Sequence, residues 1–210
     1  MSAVAGCETT LSCMIAAMHR VCQDVSGIER ESLPVLLVAG AAGSGKTTLG
    51  RELARRFGTA LLDLDTLTNP LLDELDSMLD GPHWNSAGPH SERIRAGRYA
   101  VLLATARDLV EIGQRPVLVA PFTRELTAGA EWHRLVSYVA PAATLVVHVD
   151  GSPELLAHRR AARGAERDAH RPVDAPAAKP LVPHLRVDAE LPTPLQVDLV
   201  AHALEDQSQR

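Results

Sequence analysis

Short apolar runs alternate with longer stretches of three- and four-residue apolar spacing along most of this chain. The runs Leu33–Ala39, Ala60–Asp65, Pro116–Ala120, Thr144–Val149 and His184–Val187 are too short for helices and nearly continuous in apolar character, which predicts buried strands. Between and after them, Lys46–Phe57, Leu71–Leu79, Ser91–Ile112, Ala130–Val139, Pro153–Arg163 and Pro194–Leu204 are the predicted helices, with Pro153 well placed for a first turn. Two stretches break the pattern: Gly81–His90, dense in Gly and Pro, and the Arg-, Ala- and Pro-rich Gly164–Pro183. Strands that alternate with helices imply an α/β domain whose parallel sheet is covered on both faces. Ligands of such sheets sit at the carboxyl ends of the strands, so chemistry is expected just after the first four.

Residues 1–32 stand apart as an N-terminal helical extension of a domain spanning 33–210. Within them Leu11, Met14, Ile15, Met18, Val21, Cys22 and Val25 form one apolar stripe, suited either to packing on the domain or to a dimer contact. Cys7, Cys13 and Cys22 fit no common zinc spacing, and their odd number suits reduced thiols in a cytoplasmic protein. No apolar run approaches the length of a membrane span. A chain of 210 residues with 46% apolar content can bury a sizeable core, and its 3% aromatic content leaves that core to Leu, Val and Ala. The net charge of −5 argues against a nucleic-acid surface and leaves a small molecule as the expected partner, with the protein a monomer or a homodimer through the N-terminal helix.

The most informative segment follows the first strand: Gly40-Ala41-Ala42-Gly43-Ser44-Gly45-Lys46-Thr47-Thr48. A strand, a Gly-rich turn and a helix in this order make a phosphate-binding loop, whose backbone N–H groups form a concave anion cradle at a positive helix end. Lys46 can reach the terminal phosphates of a nucleotide, and the Thr47 hydroxyl can ligate Mg²⁺. ATP and Mg²⁺ are therefore the expected ligands.

Three further groups lie near the same sheet edge. Asp63 and Asp65, read as strand residues, face the same way; one suits Mg²⁺ and the other can take a proton from a hydroxyl, although either can instead cap the next helix. After the third strand, Arg124 and Glu125 either grip an acceptor or form a surface ion pair, and Arg93 joins them as an acceptor-side cation at the start of the long helix. Arg160, Arg163 and Arg167 fall on one helical face opening a lid over about 163–183, suited to neutralising phosphates or else to a solvated face paired with Glu166 and Asp168. Trp84 either packs on a ligand or anchors its loop, and His83 and His90 receive no chemical role.

The segments Gly40–Thr48, Leu62–Thr66, Ala120–Glu125 and Arg160–Asp168 resemble the zeta-toxin and chloramphenicol-phosphotransferase-like group of P-loop kinases, AAA-type ATP-binding kinase-like proteins, and are similar to shikimate and gluconate kinases. Asp63–Pro70, an Asp-x-Asp-Thr-Leu-Thr-x-Pro segment, and Arg163–Asp168, an Arg-Gly-x-x-Arg-Asp lid, carry the likeness further. The resemblance implies a P-loop NTPase three-layer α/β/α sandwich with a five-stranded parallel sheet of order 2-3-1-4-5. It implies Asp65 as catalytic base, Asp63 with Thr47 at the metal, and Arg160, Arg163 and Arg167 with Lys46 on ATP phosphates. Val119 departs from it where many relatives carry an acidic residue, as does Arg171–Pro180 in the second half of the lid.

The expected activity is ATP-dependent transfer of the γ-phosphoryl group to a hydroxyl of a small molecule such as a sugar, an amino-acid alcohol or an antibiotic. A nucleoside or nucleotide kinase and a non-catalytic ATP-binding regulator are the alternatives.

Overall fold

The structure is a computed structural model that describes residues 33–79, 90–164 and 179–208. The N-terminal stripe, the loop with His83 and Trp84, and most of the expected lid, including Arg167, lie outside the described residues. Five parallel strands are ordered β2-β3-β1-β4-β5: β1 Val35–Gly40, β2 Leu61–Asp63, β3 Val117–Val119, β4 Thr144–Asp150 and β5 Leu185–Asp188. The helices are α1 Lys46–Phe57, α2 Leu64–Leu75, α3 Ser91–Glu111, α4 Ala130–Val139, α5 Pro153–Arg163 and α6 Thr193–Ser208. None of the described helices is long and apolar enough to cross a membrane.

The central strand β1 is buried along its whole length, because alternate side chains enter two cores. Leu36 and Val38 pack with Leu49, Leu53 and Phe57 of α1 and Val200 and Leu204 of α6. Val35, Leu37 and Ala39 pack on the other face with Leu102 and Ala106 of α3 and Leu135 and Val139 of α4. This two-sided burial is why the strands read as continuous apolar runs.

One element departs from expectation. The second strand ends at Asp63, and α2 begins at once, seven residues before the predicted helix start at Leu71. Asp63 Oδ1 accepts from the N–H groups of Asp65 at 2.9 Å and Thr66 at 3.2 Å, an N-cap that turns the chain out of the sheet. Pro70 lies inside α2 rather than before it. Asp65 is therefore a first-turn helix residue, not a strand residue sharing a face with Asp63.

Gly50 of α1 shows how closely helix and sheet approach. A Cβ built there would lie 2.4 Å from Val119 Cγ2. Gly→Ala inside a helix ordinarily stabilises by roughly 0.5–1 kcal/mol, whereas overpacking a core costs about 1–3 kcal/mol. Gly50→Ala is accordingly expected to lower stability in urea unfolding, and adding Val119→Ala to relieve the contact should recover part of the loss.

His148 of β4 is 5% exposed and meets His184 edge to face, with ring centroids 5.8 Å apart. Burial pushes its imidazole below the ordinary histidine value; Asp150 opposes this, while His184 and Arg186 reinforce it. The unfolded chain thus takes up this proton before the folded one does. The contribution is fully present above about pH 6.5 and is lost as pH falls through the folded-state value. Thermal midpoints should fall more steeply on acidification from neutral pH for wild type than for His148→Gln; parallel curves would contradict this.

Candidate functional site

The loop between β1 and α1 is held open by backbone geometry. Gly40, Gly43 and Gly45 have φ of 149°, 87° and 93°, in the region that glycine alone adopts freely. At Gly43 space matters as well: a Cβ would meet Leu156 O of α5 at 2.6 Å and Arg160 Cγ at 3.2 Å. The helix after β4 therefore lies flat against the outside of the loop. Ala41 and Ala42 put no polar side chain into the cradle. Ser44 is fully buried, with its hydroxyl oxygen unpartnered. Lys46 Nζ reaches back to Ala41 O at 3.4 Å, so its ammonium stays at the loop, while Thr48 is exposed one residue past Thr47.

Beside this loop the Thr47 hydroxyl donates to Asp63 Oδ2 at 2.9 Å. Asp63 is 7% exposed, and its two oxygens split their work between capping α2 and receiving Thr47. It stands in register with Val119 of β3. The carboxylate absent from the β3 tip is thus matched by one on the neighbouring strand, and Val119 packs against Gly50 instead. A hydroxyl and a carboxylate form a hard oxygen donor pair of the kind Mg²⁺ takes. Among the described residues no group of three or more His, Cys, Asp or Glu gathers around a metal position. The remaining ligands would come from phosphate oxygens and water, as Mg²⁺ prefers.

Asp65 turns toward α3. Arg98 Nη2 lies 2.5 Å from Asp65 Oδ1 and 2.9 Å from Asn69 Oδ1, and Arg98 Nε lies 2.8 Å from Thr68 Oγ1. Thr68 passes its own proton to Leu64 O at 2.6 Å. The Asp-x-Asp-Thr-Leu-Thr-x-Pro segment therefore has a local reason: it supplies the cap, the carboxylate and two side chains that seat one guanidinium.

Arg124 and Glu125 do not pair with each other; each has another partner. Glu125 is 3% exposed, and both its oxygens accept from Arg95 Nη2, at 2.7 and 2.9 Å. Arg124 pairs on the surface with Glu92, its two nitrogens each 2.6 Å from a carboxylate oxygen. Arg93 is exposed, because it lies on a different side of α3 from Arg95 and Arg98, which are three residues apart and share a face. Arg95 also stacks over Tyr99, 4.4 Å from the ring centroid, and Tyr99 Oη accepts from Phe122 N at 3.0 Å. Burial and the Glu125 carboxylate push the Tyr99 phenol up, so it stays neutral in that role.

On the nucleotide side, α5 stops at Arg163 because Gly164 takes a left-handed φ of 64° and its N–H closes on Arg160 O and Ala161 O. Arg160 and Arg163 share that helix, and Arg167 lies outside the described residues. Arg160 Nη1 donates to Ala42 O at 3.3 Å, outside the cradle. Arg159, to which sequence reasoning gave no task, donates to Ser44 O at 3.4 Å and Ala189 O at 2.9 Å. Spacing did not separate it from its neighbour Arg160.

The chain is similar to several known proteins. A shikimate kinase 2 from Dickeya chrysanthemi is 32% identical over 128 residues, covering 60% of this chain and 68% of that protein. A tRNA dimethylallyltransferase from Syntrophobacter fumaroxidans is 33% identical over 123 residues, covering 50% of this chain but only 35% of that enzyme. The chain thus spans about a third of the length of the tRNA dimethylallyltransferases it matches. Among solved structures, a candidate kinase from Chloroflexus aurantiacus superposes with a TM-score of 0.63 at 22% identity, covering 83% of this chain and 97% of that one. The fold is that of the P-loop kinases. The profile of the AAA domain family matches residues 35–179, a span that takes in the loop, both aspartates and the α3 arginines, and the chain belongs to that family.

Proposed function

We propose that the protein is an ATP-dependent phosphotransferase that moves the γ-phosphoryl group to a hydroxyl of a small molecule. The observation that carries this reading is the Thr47–Asp63 contact at 2.9 Å beside the phosphate cradle, with Asp65 two residues on and oriented by Arg98. A loop that only held nucleotide would not need a second carboxylate fixed in the first turn after the β2 tip. The finer placement, with the zeta-toxin and chloramphenicol-phosphotransferase-like group, rests on Asp63–Pro70 and Arg163–Asp168. The tRNA dimethylallyltransferase likeness covers too little of those enzymes to bring their activity here, and a net charge of −5 suits tRNA poorly.

In this reading the backbone N–H groups of Gly40–Thr48 bind the phosphates, and Thr47 and Asp63 hold Mg²⁺. The metal neutralises charge on the phosphate oxygens and orients them. Lys46 and Arg163 offset the negative charge that develops on the transferring group, a task Arg167 would share. Asp65 accepts the proton of the acceptor hydroxyl as its oxygen bonds to the γ-phosphorus and the bond to the β-bridging oxygen breaks, leaving ADP. Arg98 fixes the direction of that carboxylate. A cytoplasmic setting fits the reading, since thiols stay reduced there.

Turnover of ATP with Mg²⁺ and a pool of hydroxyl-bearing metabolites and antibiotics, with mass spectrometry for a gain of one phosphoryl group, tests the activity directly. ATP binding with no transfer to any pool member would count against it. Asp65→Asn is expected to lower kcat at least ~100-fold with ATP affinity retained, the scale of a lost general base; unchanged turnover would remove Asp65 from that role. Asp63→Asn keeps the cap, because Asn and Asp cap helices about equally. Its folding should therefore be near wild type, while the Mg²⁺ concentration for half-maximal rate rises; a rate independent of Mg²⁺ in wild type would refute the metal assignment.

A further inference from the structure

His148 is a buried polar side chain that the reading above leaves without a task. Its ring touches His184, and it has no hydrogen-bond partner among the described residues. It lines a cavity with Ala41 of the phosphate loop, Pro121 and Thr123 of the β3 tip, and Lys179 and Pro180 of the chain returning to β5. The floor is apolar, formed by Phe122 and Leu126. The segment carrying Lys179 is fixed there, since Leu181 N donates to Leu126 O at 2.8 Å and His184 Nδ1 lies 2.9 Å from Val182 O.

Charge distinguishes this cavity from the rest of the acceptor side. Arg95 is paired with Glu125, Arg98 with Asp65 and Arg124 with Glu92. Lys179 has no carboxylate partner among the described residues. The cavity thus offers one positive charge, one imidazole with open nitrogens and an apolar floor. Asp65 follows β2 and His148 belongs to β4, three strand spacings or roughly 14 Å across the sheet, a gap that the Lys179 side chain and an extended acceptor would have to span.

We propose that this cavity is the acceptor's anion subsite: the acceptor is a small hydroxylated carboxylate, held by the Lys179 ammonium and an N–H of His148 while a hydroxyl is presented to Asp65. This deepens the phosphotransferase reading and rests on it. A single positive charge matches a monocarboxylate better than a phosphate dianion, and Phe122 and Leu126 suit a carbon skeleton. The imidazole aims the carboxylate, since an unpartnered ring nitrogen of a cavity-lining histidine gains a hydrogen bond when the ligand enters.

The test uses the full chain with ADP and Mg²⁺ and a pool of hydroxycarboxylates, each matched to a neutral counterpart. Gluconate against sorbitol and shikimate against its methyl ester are two such pairs, each at about 10 mM, a level that detects millimolar binding. Binding is read by saturation-transfer NMR, and transfer separately from product mass with ATP. At least one carboxylate should bind about tenfold more tightly than its neutral counterpart, a difference of about 1.4 kcal/mol. Lys179→Met and His148→Leu should each weaken that carboxylate severalfold and leave the neutral counterpart and ATP unaffected, whereas His148→Gln, which keeps an N–H, should retain most of it. Neutral counterparts bound equally well, variants that weaken both alike, or no carboxylate bound at all would each overturn the subsite. Transfer to a neutral alcohol, indifferent to both variants, would overturn the subsite and leave phosphotransfer standing. Variant-sensitive carboxylate binding without transfer would uphold the subsite and count against phosphotransfer.

Discussion

The arrangement depends on a single buried carboxylate. Asp63 has to satisfy two claims at once: the free N–H groups that open α2 and the Thr47 hydroxyl at the start of α1. Because the cap ends β2 at this residue, Asp65 leaves the sheet and enters a helix turn, where Arg98 can reach it. Because the second oxygen faces Thr47, the β2 tip is tied to the phosphate loop that follows β1, past the one intervening strand β3. An apolar residue at 63 would leave the α2 end uncapped and the Thr47 hydroxyl without this acceptor, and the two halves of the site would lose their common reference.

Helix α3 performs the corresponding task at the β2 and β3 tips. Arg95 and Arg98, three residues apart, hold the β3-tip segment through Glu125 and the β2-tip carboxylate through Asp65. Tyr99 adds a hydrogen bond to Phe122, a fully buried non-glycine residue with φ of 49°. Such a backbone persists only where its surroundings over-determine it, and the ring contact, the phenol and the ion pair together provide that. Glu125 is thus more consequential as a buried partner than as a surface ligand, since removing Arg95 would strand its charge among apolar side chains.

Much of this was legible in order along the chain. The phosphate loop is a local device, so its residues sit where they were read, and α1, α4 and α5 have the predicted bounds, because cap and breaker signals lie next to the apolar pattern that they end. Legibility failed where partners are distant in sequence. Leu61–Asp65 alternates like a strand, and only the side-chain cap at Asp63 shows that the chain turns after three residues. Arg93, Arg95 and Arg98 are equivalent by composition; contacts 30 and 33 residues away single out the last two. His148 and Lys179 sit in an apolar strand and a breaker-rich loop, and neither position announces that both line one cavity with Ala41.

Helix α5 adds a constraint that the arginine count alone suggested for another purpose. A loop whose N–H groups turn inward necessarily turns carbonyls outward, and these need donors. Arg160 supplies Ala42 O and Arg159 supplies Ser44 O, while Gly43 lets the α5 backbone approach to a distance that any side chain would forbid. Arg159 also reaches Ala189 O, beyond the end of β5, so one side chain joins the phosphate loop, the helix after β4 and the turn after β5. Arg160, expected on a phosphate, thus joins Arg159 in bracing the outside of the cradle. Anion recognition at the loop can then rely on its backbone, which needs little rearrangement to meet a phosphate.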